Sequence, residues 1–203
     1  MRHLIGAIVA LAVAWGLPAL STEHTLSAHP SPCDFLTGGG FINTTAGGQH
    51  ALAKANFGIG GGCKDGSPTW GHLNYVDHGN GLHVHWLTIT GYMQEGDGVG
   101  DTGTDPQTGQ PTGTRLICGT ARTNQIGDVD FMVRARDRGE PGRDDEFDIR
   151  LSKNGVIVYT TENDPGPHRL NDGQGGGGNI QLHKPNPSTA GQMGGICAAR
   201  AAV

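Results

Sequence analysis

Three blocks of this chain each couple a sharp glycine turn to a short stretch of alternating apolar and polar residues. The first is Lys54-Ala-Asn-Phe-Gly, continuing to Gly71-His-Leu-Asn-Tyr-Val-Asp-His78. The second is Asp137-Arg-Gly-Glu-Pro-Gly-Arg-Asp-Asp-Glu-Phe147, and the third is Gly175-Gly-Gly-Gly-Asn-Ile-Gln-Leu-His-Lys184. A period of two is the pattern of a strand with one covered face. Elsewhere Gly and Pro interrupt every stretch long enough for an amphipathic 3.6-residue pattern, so no helix is expected. The blocks read as scaffold, and none is a reaction signature.

The strands can be placed from the same alternation. Leu82, Val84, Trp86, Thr88 and Thr90 alternate with His83, His85, Leu87 and Ile89, and both sets are partly apolar. Such a strand is covered on both faces for part of its length. Val129–Arg136 and Phe147–Ser152 have one wet face each. Asn154-Gly155 ahead of Val156–Tyr159 is a two-residue hairpin turn, because both positions need a positive φ. Further strands are expected at Phe35–Ile42, Ala51–Phe57, Trp70–Val76, Arg115–Arg122 and Asn179–His183. Glu95–Thr114 and Asp164–Gly178 read as loops. Many short strands in one domain point to an all-β fold, a single antiparallel β-sandwich of immunoglobulin-like or jelly-roll type with long Gly/Asp-rich loops.

The N-terminus bears on compartment. Arg2 precedes an apolar run from Leu4 to Leu17, too short for a membrane span and right for the core of a secretory signal. Small residues at Ala19 and Ser21 place cleavage after Ser21, with Ala28 as a later alternative. The competing reading is an uncleaved anchor. No other segment is apolar enough to span a bilayer. Residues 22–203 suffice for one domain, but only 35% of the chain is hydrophobic, 5% is aromatic and 36 residues are glycine, so the core must be thin. A net charge of −5 without a basic, aromatic-interleaved patch argues against nucleic acid.

Four cysteines (Cys33, Cys63, Cys118, Cys197) in a secreted chain imply disulfides, with three connectivities open. The reading favours Cys63 with Cys118, and Cys33 with Cys197. No Cys-x-x-Cys spacing supports a zinc site.

The blocks resemble the post-COAP-type domain, a β-rich module of bacterial secreted and surface proteins. Lys54-Ala-Asn-Phe-Gly, Gly71-His-Leu-Asn-Tyr with Asp77-His78, Gly81-Leu82-His-Val, Gly119-Thr-Ala, Gly139-Glu-Pro-Gly with Asp145 and Phe147, and Gly178-Asn-Ile-Gln-Leu-His-Lys carry the resemblance. It spans about residues 33–184, leaving 185–203 as a tail pinned by Cys197. It implies a secreted β-sandwich module and no established catalytic activity. The chain departs from the pattern by its four cysteines and its Asp/Gly insertion after Glu95.

Several constellations bear on chemistry. His83 and His85 share a strand face, the spacing of β-scaffold metal sites, with His72 or His78 as a third ligand for zinc or copper. The Glu that a cupin would carry a few residues on is replaced by Ile89 and Thr90. The plain alternative is a solvated face of exposed histidines. Asp97, Asp101 and Asp105 recur every four residues in a glycine-rich loop that could offer oxygen ligands to calcium, though without the EF-hand pattern. Asp144, Asp145 and Glu146 face a hairpin rich in arginine (Arg134, Arg136, Arg138, Arg150), which reads as cross-strand charge pairing rather than a glycosidase carboxylate pair. No Gly-x-Ser-x-Gly elbow is present. The glycines of Gly58-Ile-Gly-Gly-Gly-Cys63 and Gly175–Gly178 read as tight turns, not phosphate cradles.

The expectation is therefore a secreted, non-catalytic module with a structural or binding role, its partner a protein or glycan at the cell surface. The alternatives are an extracellular metal-binding protein and, more remotely, a hydrolase.

Overall fold

A computed structural model describes residues 33–48, 50–64, 66–95, 102–162, 167–171, 176–189 and 191–199. The signal segment, both of its candidate cleavage sites, Asp97 and Asp101 lie outside these residues. Among these residues eleven strands carry the fold: β1 (Phe35–Thr44), β2 (Ala53–Lys64), β3 (Ser67–Asp77), β4 (Leu82–Gln94), β5 (Thr102–Thr104), β6 (Pro111–Thr123), β7 (Gly127–Asp137), β8 (Glu146–Lys153), β9 (Val156–Thr160), β10 (Gly177–His183) and β11 (Gly194–Gly195). No helix occurs among the described residues.

All strands join one antiparallel sheet in the order β10-β1-β2-β3-β4-β6-β7-β8-β9. β5 pairs with the start of β6, and β11 pairs with β4. The sheet curls into a half-barrel that brings β10 against β6 and β7. Its concave side holds the core. Phe57 of β2 stacks on Phe147 of β8 at 3.9 Å, with Leu36, Ile59, Leu73, Phe131, Val133 and Ile149 around them. Each such fully buried side chain contributes roughly 1.5–3 kcal/mol. Across the same interior Tyr159 donates to Asp77 Oδ2 (2.8 Å) and shares a 2.7 Å hydrogen bond with Tyr75. Burial, with Tyr75 and Asp77 beside it, raises the Tyr159 pKa.

The Asn154-Gly155 turn has the expected positive φ angles of 53° and 76°. Two glycine-rich segments differ from expectation. Gly58 and Gly60–Gly62 are not turns but lie inside β2, and Gly177 and Gly178 lie inside β10. Their missing side chains make room for neighbours. A Cβ on Gly61 would meet Ile117 at 2.6 Å, one on Gly62 would meet Phe35 at 2.6 Å, and one on Gly60 would meet the His72 ring at 2.8 Å. The stretch read as a loop from Glu95 to Thr114 contains the hairpin β5–β6, turned by Asp105, whose Oδ1 accepts from Gln107 N (2.6 Å).

The disulfides are Cys33–Cys63 and Cys118–Cys197, which corrects both favoured pairings. The sheet explains this. Phe35 pairs with Gly62, so Cys33 and Cys63 emerge side by side at one end of β1–β2. β3 pairs with β4 only over Asn74–Asp77 and Leu82–His85, and the strands then part. The C-terminal segment enters that gap as β11, pairing Gly194 and Gly195 with Tyr92 and Gly91. This carries Cys197 onto Cys118 of β6, on the convex side. Leu116, Met132, Met93 and Ala199 form a small second cluster there. Each closed loop stabilises by roughly 3–5 kcal/mol in the chain-entropy model. Beside the first disulfide, Arg115 Nε donates to Asp34 Oδ1 (3.1 Å), and Tyr92 donates to the same oxygen (2.6 Å). All three side chains are buried. Burial works against the Arg115 charge, but Asp34 outweighs it and raises the pKa.

Candidate functional site

Alternation sends Leu73, Tyr75, Leu82 and Val84 into the core, and Asn74, Val76, His83 and His85 outward on the convex face. The pairing register aligns Gly39, Gly58, Asn74, His85, Arg122 and Asp128 in one row across β1, β2, β3, β4, β6 and β7. Neighbours in the row hold one another. His85 Nδ1 donates to Asn74 Oδ1 (2.7 Å), and Arg122 Nε donates to Asp128 Oδ1 (2.8 Å). The hydrogen bond from Arg122 holds Asp128 below the usual carboxylate range.

A groove of about 570 Å³ runs beside this row, lined by Asn74, Val76, His83, Val84, His85, Leu87, Arg122, Thr123 and Asn124. That volume lies within the range of ligand sites. Leu87 marks its end. The β4–β6 register slips between Trp86 and Thr88, and the extra residue is turned out, leaving Leu87 41% exposed. A second depression of about 330 Å³ continues past Leu87 toward Asp128, Asp130 and Lys153. Asn124 fixes one wall, accepting from His83 N (2.8 Å) and donating to Gly81 O (2.9 Å). No carboxylate lines the larger groove. Its apolar floor and its amide, imidazole and guanidinium groups can hold a ligand by contact and hydrogen bonds.

The four histidines do not converge. His83 and His85 share the convex face as expected. His72 pairs with Gly60 and lies over it, beyond the point where β3 and β4 part. His78 Nε2 donates to Asn56 Oδ1 (2.9 Å) at the turn. Among the described residues no three His, Cys, Asp or Glu side chains come together as a metal site. Asp105 is spent on the backbone, with Oδ2 accepting from Glu140 N (2.9 Å) and Oδ1 from Gln107. These bonds, Glu140 first, hold its pKa down.

The three consecutive acidic residues have separate tasks. Asp144 is exposed, 4.0 Å from Arg169. Glu146 accepts from Arg134 (2.8 Å) and from Arg138 Nε (2.9 Å). Burial opposes the Glu146 charge, but the two arginines hold its pKa low. Arg150 is paired with Glu162. Asp145 has no arginine. Its Oδ1 accepts from Arg138 N (2.9 Å) and its Oδ2 from Ile180 N (2.8 Å). Asp137 Oδ2 likewise accepts from Leu182 N (2.7 Å). These carboxylates close the outer edge of β10. Burial pushes Asp145 up to about 6 and raises Asp137 in the same sense.

Asn74, Leu87, Arg122 and Gly58 escaped the sequence reading. The same-parity series Trp70, His72, Asn74, Val76 was available as a signal, as was the alternate-glycine series Gly58, Gly60, Gly62. The chain matches no protein-family model, no curated protein and no solved structure.

Proposed function

We propose that this chain is a secreted, non-catalytic module of post-COAP type, built on the curled antiparallel sheet and binding a partner at the cell surface. The observation that carries this reading is the groove on the convex face. Its polar groups are oriented by neighbours in the sheet, and its floor is aliphatic. That is equipment for holding a ligand. Two disulfides are compatible with an oxidising, extracellular setting. Among the described residues no helix is long and apolar enough to cross a membrane. The acidic residues nearest in kind to a hydrolytic pair, Asp145 and Glu146, are engaged with a strand edge and with arginines.

The test is incubation of the purified, disulfide-intact protein with glycan, ester and peptide substrates. No turnover is expected, and clear turnover removes the reading. Elemental analysis provides a second check. One transition metal per chain, lost in the His83→Ala/His85→Ala variant, would replace it with a metal-binding role.

A further inference from the structure

The convex face of β1–β4 differs chemically from the rest of the surface. Phe35, Phe41 and Trp70 are the described aromatic rings neither buried in the core nor packed against it, and all three lie on β1 and β3. Phe35 stacks on His183 at 4.5 Å and meets Trp70 edge-on at 6.1 Å. Between these rings and the groove, the sheet is bare. A Cβ on Gly58 would meet nothing within 4 Å, and one on Gly39 would meet only a backbone oxygen at 3.5 Å. The imidazole of His72, laid over Gly60, borders this bare strip on one side. Phe41, with Lys54 Nζ 4.0 Å from its centroid, borders it on the other. Gly39 and Gly58 continue in register into Asn74 and His85. The result is a shallow trough crossing the strands and opening into the groove. From Gly39 to Arg122 it covers four inter-strand spacings, about 19 Å.

We propose that this trough binds a stretch of neutral polysaccharide; the inference rests on the non-catalytic binding role proposed above and names its ligand class. Three features select that class. Half-exposed rings together with the exposed Leu87 suit the C–H faces of sugar rings. Amide and imidazole groups offer donors and acceptors together, as hydroxyl recognition requires. The groove itself carries little net charge, since Arg122 is bonded to Asp128 and no carboxylate lines it; Lys54 lies at the far rim, over the Phe41 ring. A cationic ligand would find no carboxylate in the groove, and an anionic one would have to displace Asp128 from Arg122. A flat chain would lie on the bare peptide planes, where any side chain would stand in its way.

Gly58 makes the test clean. Its φ is not in the left-handed region and its Cβ position is open, so Gly58→Gln fills the trough without strain. The experiment is affinity electrophoresis and calorimetry of the secreted, disulfide-intact protein with laminarin, mannan, dextran and uronate-free arabinoxylan, and with polygalacturonate as the acidic control. At least one neutral polysaccharide is expected to bind. Gly58→Gln should weaken binding at least tenfold with Tm unchanged, and Asn74→Ala/His85→Ala should act in the same direction. Val158→Thr, on a distant strand, should leave binding unaltered. Absence of binding to all four, binding that survives Gly58→Gln, or binding to polygalacturonate alone overturns the proposal. Turnover of a bound polysaccharide would instead remove the non-catalytic reading and leave the trough standing.

Discussion

At the β10 edge, the outward N–H groups of Ile180 and Leu182 are bonded to the buried carboxylates of Asp145 and Asp137. At the β9 edge, Val156, Ile157 and Val158 stand 64%, 45% and 40% exposed. Both are end strands of one sheet, and an open strand edge is a template for unwanted pairing. The first is closed by side chains from the 137–145 segment, at the end of β7 and in the connection to β8. The second relies on its five-residue length and a bulge opposite Leu151 and Ser152. Only Tyr159 anchors it inward. The contrast teaches that an edge can be finished by capping its donors or by keeping it short and irregular. The two solutions carry different costs: burying carboxylates makes the first edge sensitive to pH, and exposing aliphatics leaves the second open to association.

The largest effect is expected at the capped edge. Asp145→Ala leaves two buried donors, Arg138 N and Ile180 N, without their acceptor, at about 1–3 kcal/mol each. Urea denaturation should show a loss of about 2–6 kcal/mol; a loss below about 1 would mean that the carboxylate does not hold the edge. The pH response comes next. The Asp145 pKa is raised on folding, so the stability it contributes is complete below about pH 4 and is lost as pH rises through about 6. The step amounts to about 3 kcal/mol, taking 1.36 kcal/mol per unit. Glu146 and Asp105, held low, act in the opposite sense and lose stability as pH falls. The difference between wild type and Asp145→Asn across pH 4–7 therefore isolates Asp145, and a flat difference would contradict its assignment.

Smaller effects belong to the β9 edge. Tyr159→Phe removes the hydrogen bonds to Asp77 and Tyr75, with an expected cost of about 1–3 kcal/mol in thermal or urea unfolding. Ile157→Lys should change stability by no more than about 0.5 kcal/mol. Light scattering at raised concentration should nevertheless fall in Ile157→Lys, and not in Gln181→Lys on the capped edge. Equal behaviour of the two variants would erase the distinction between the edges.

Most strands were legible because alternation is a local signal; Val129–Arg136 and the Asn154-Gly155 turn needed nothing beyond their own residues. The glycines of β2 misled for a physical reason. A glycine chosen for turn freedom and one chosen so that Ile117, Phe35 or His72 can lie across it look identical in sequence. Disulfide pairing was illegible because it depends on the gap between β3 and β4, which only the assembled sheet displays. The candidate site was half visible. His83 and His85 announced a common face, but the register joining Asn74, His85 and Arg122 is a long-range property. Asp145 read as one of three partners for the hairpin arginines, and its bond to the edge of β10 depends on long-range placement that its own residues do not signal.

The C-terminal segment that fills the gap between β3 and β4 also sets a schedule for making the molecule. Cys63 follows Cys33 by 30 residues, whereas Cys197 follows Cys118 by 79. At about 5–20 residues per second, Cys118 waits about 4–16 s for its partner to be synthesised. During that interval, it is a lone thiol on a chain that has already produced two other cysteines. In an oxidising compartment, joining Cys33 to Cys63 first would withdraw both competitors before Cys197 appears. The order of the four cysteines along the chain thus favours the observed pairing, since Cys197, in the segment that fills the gap, is the last of the four to be made.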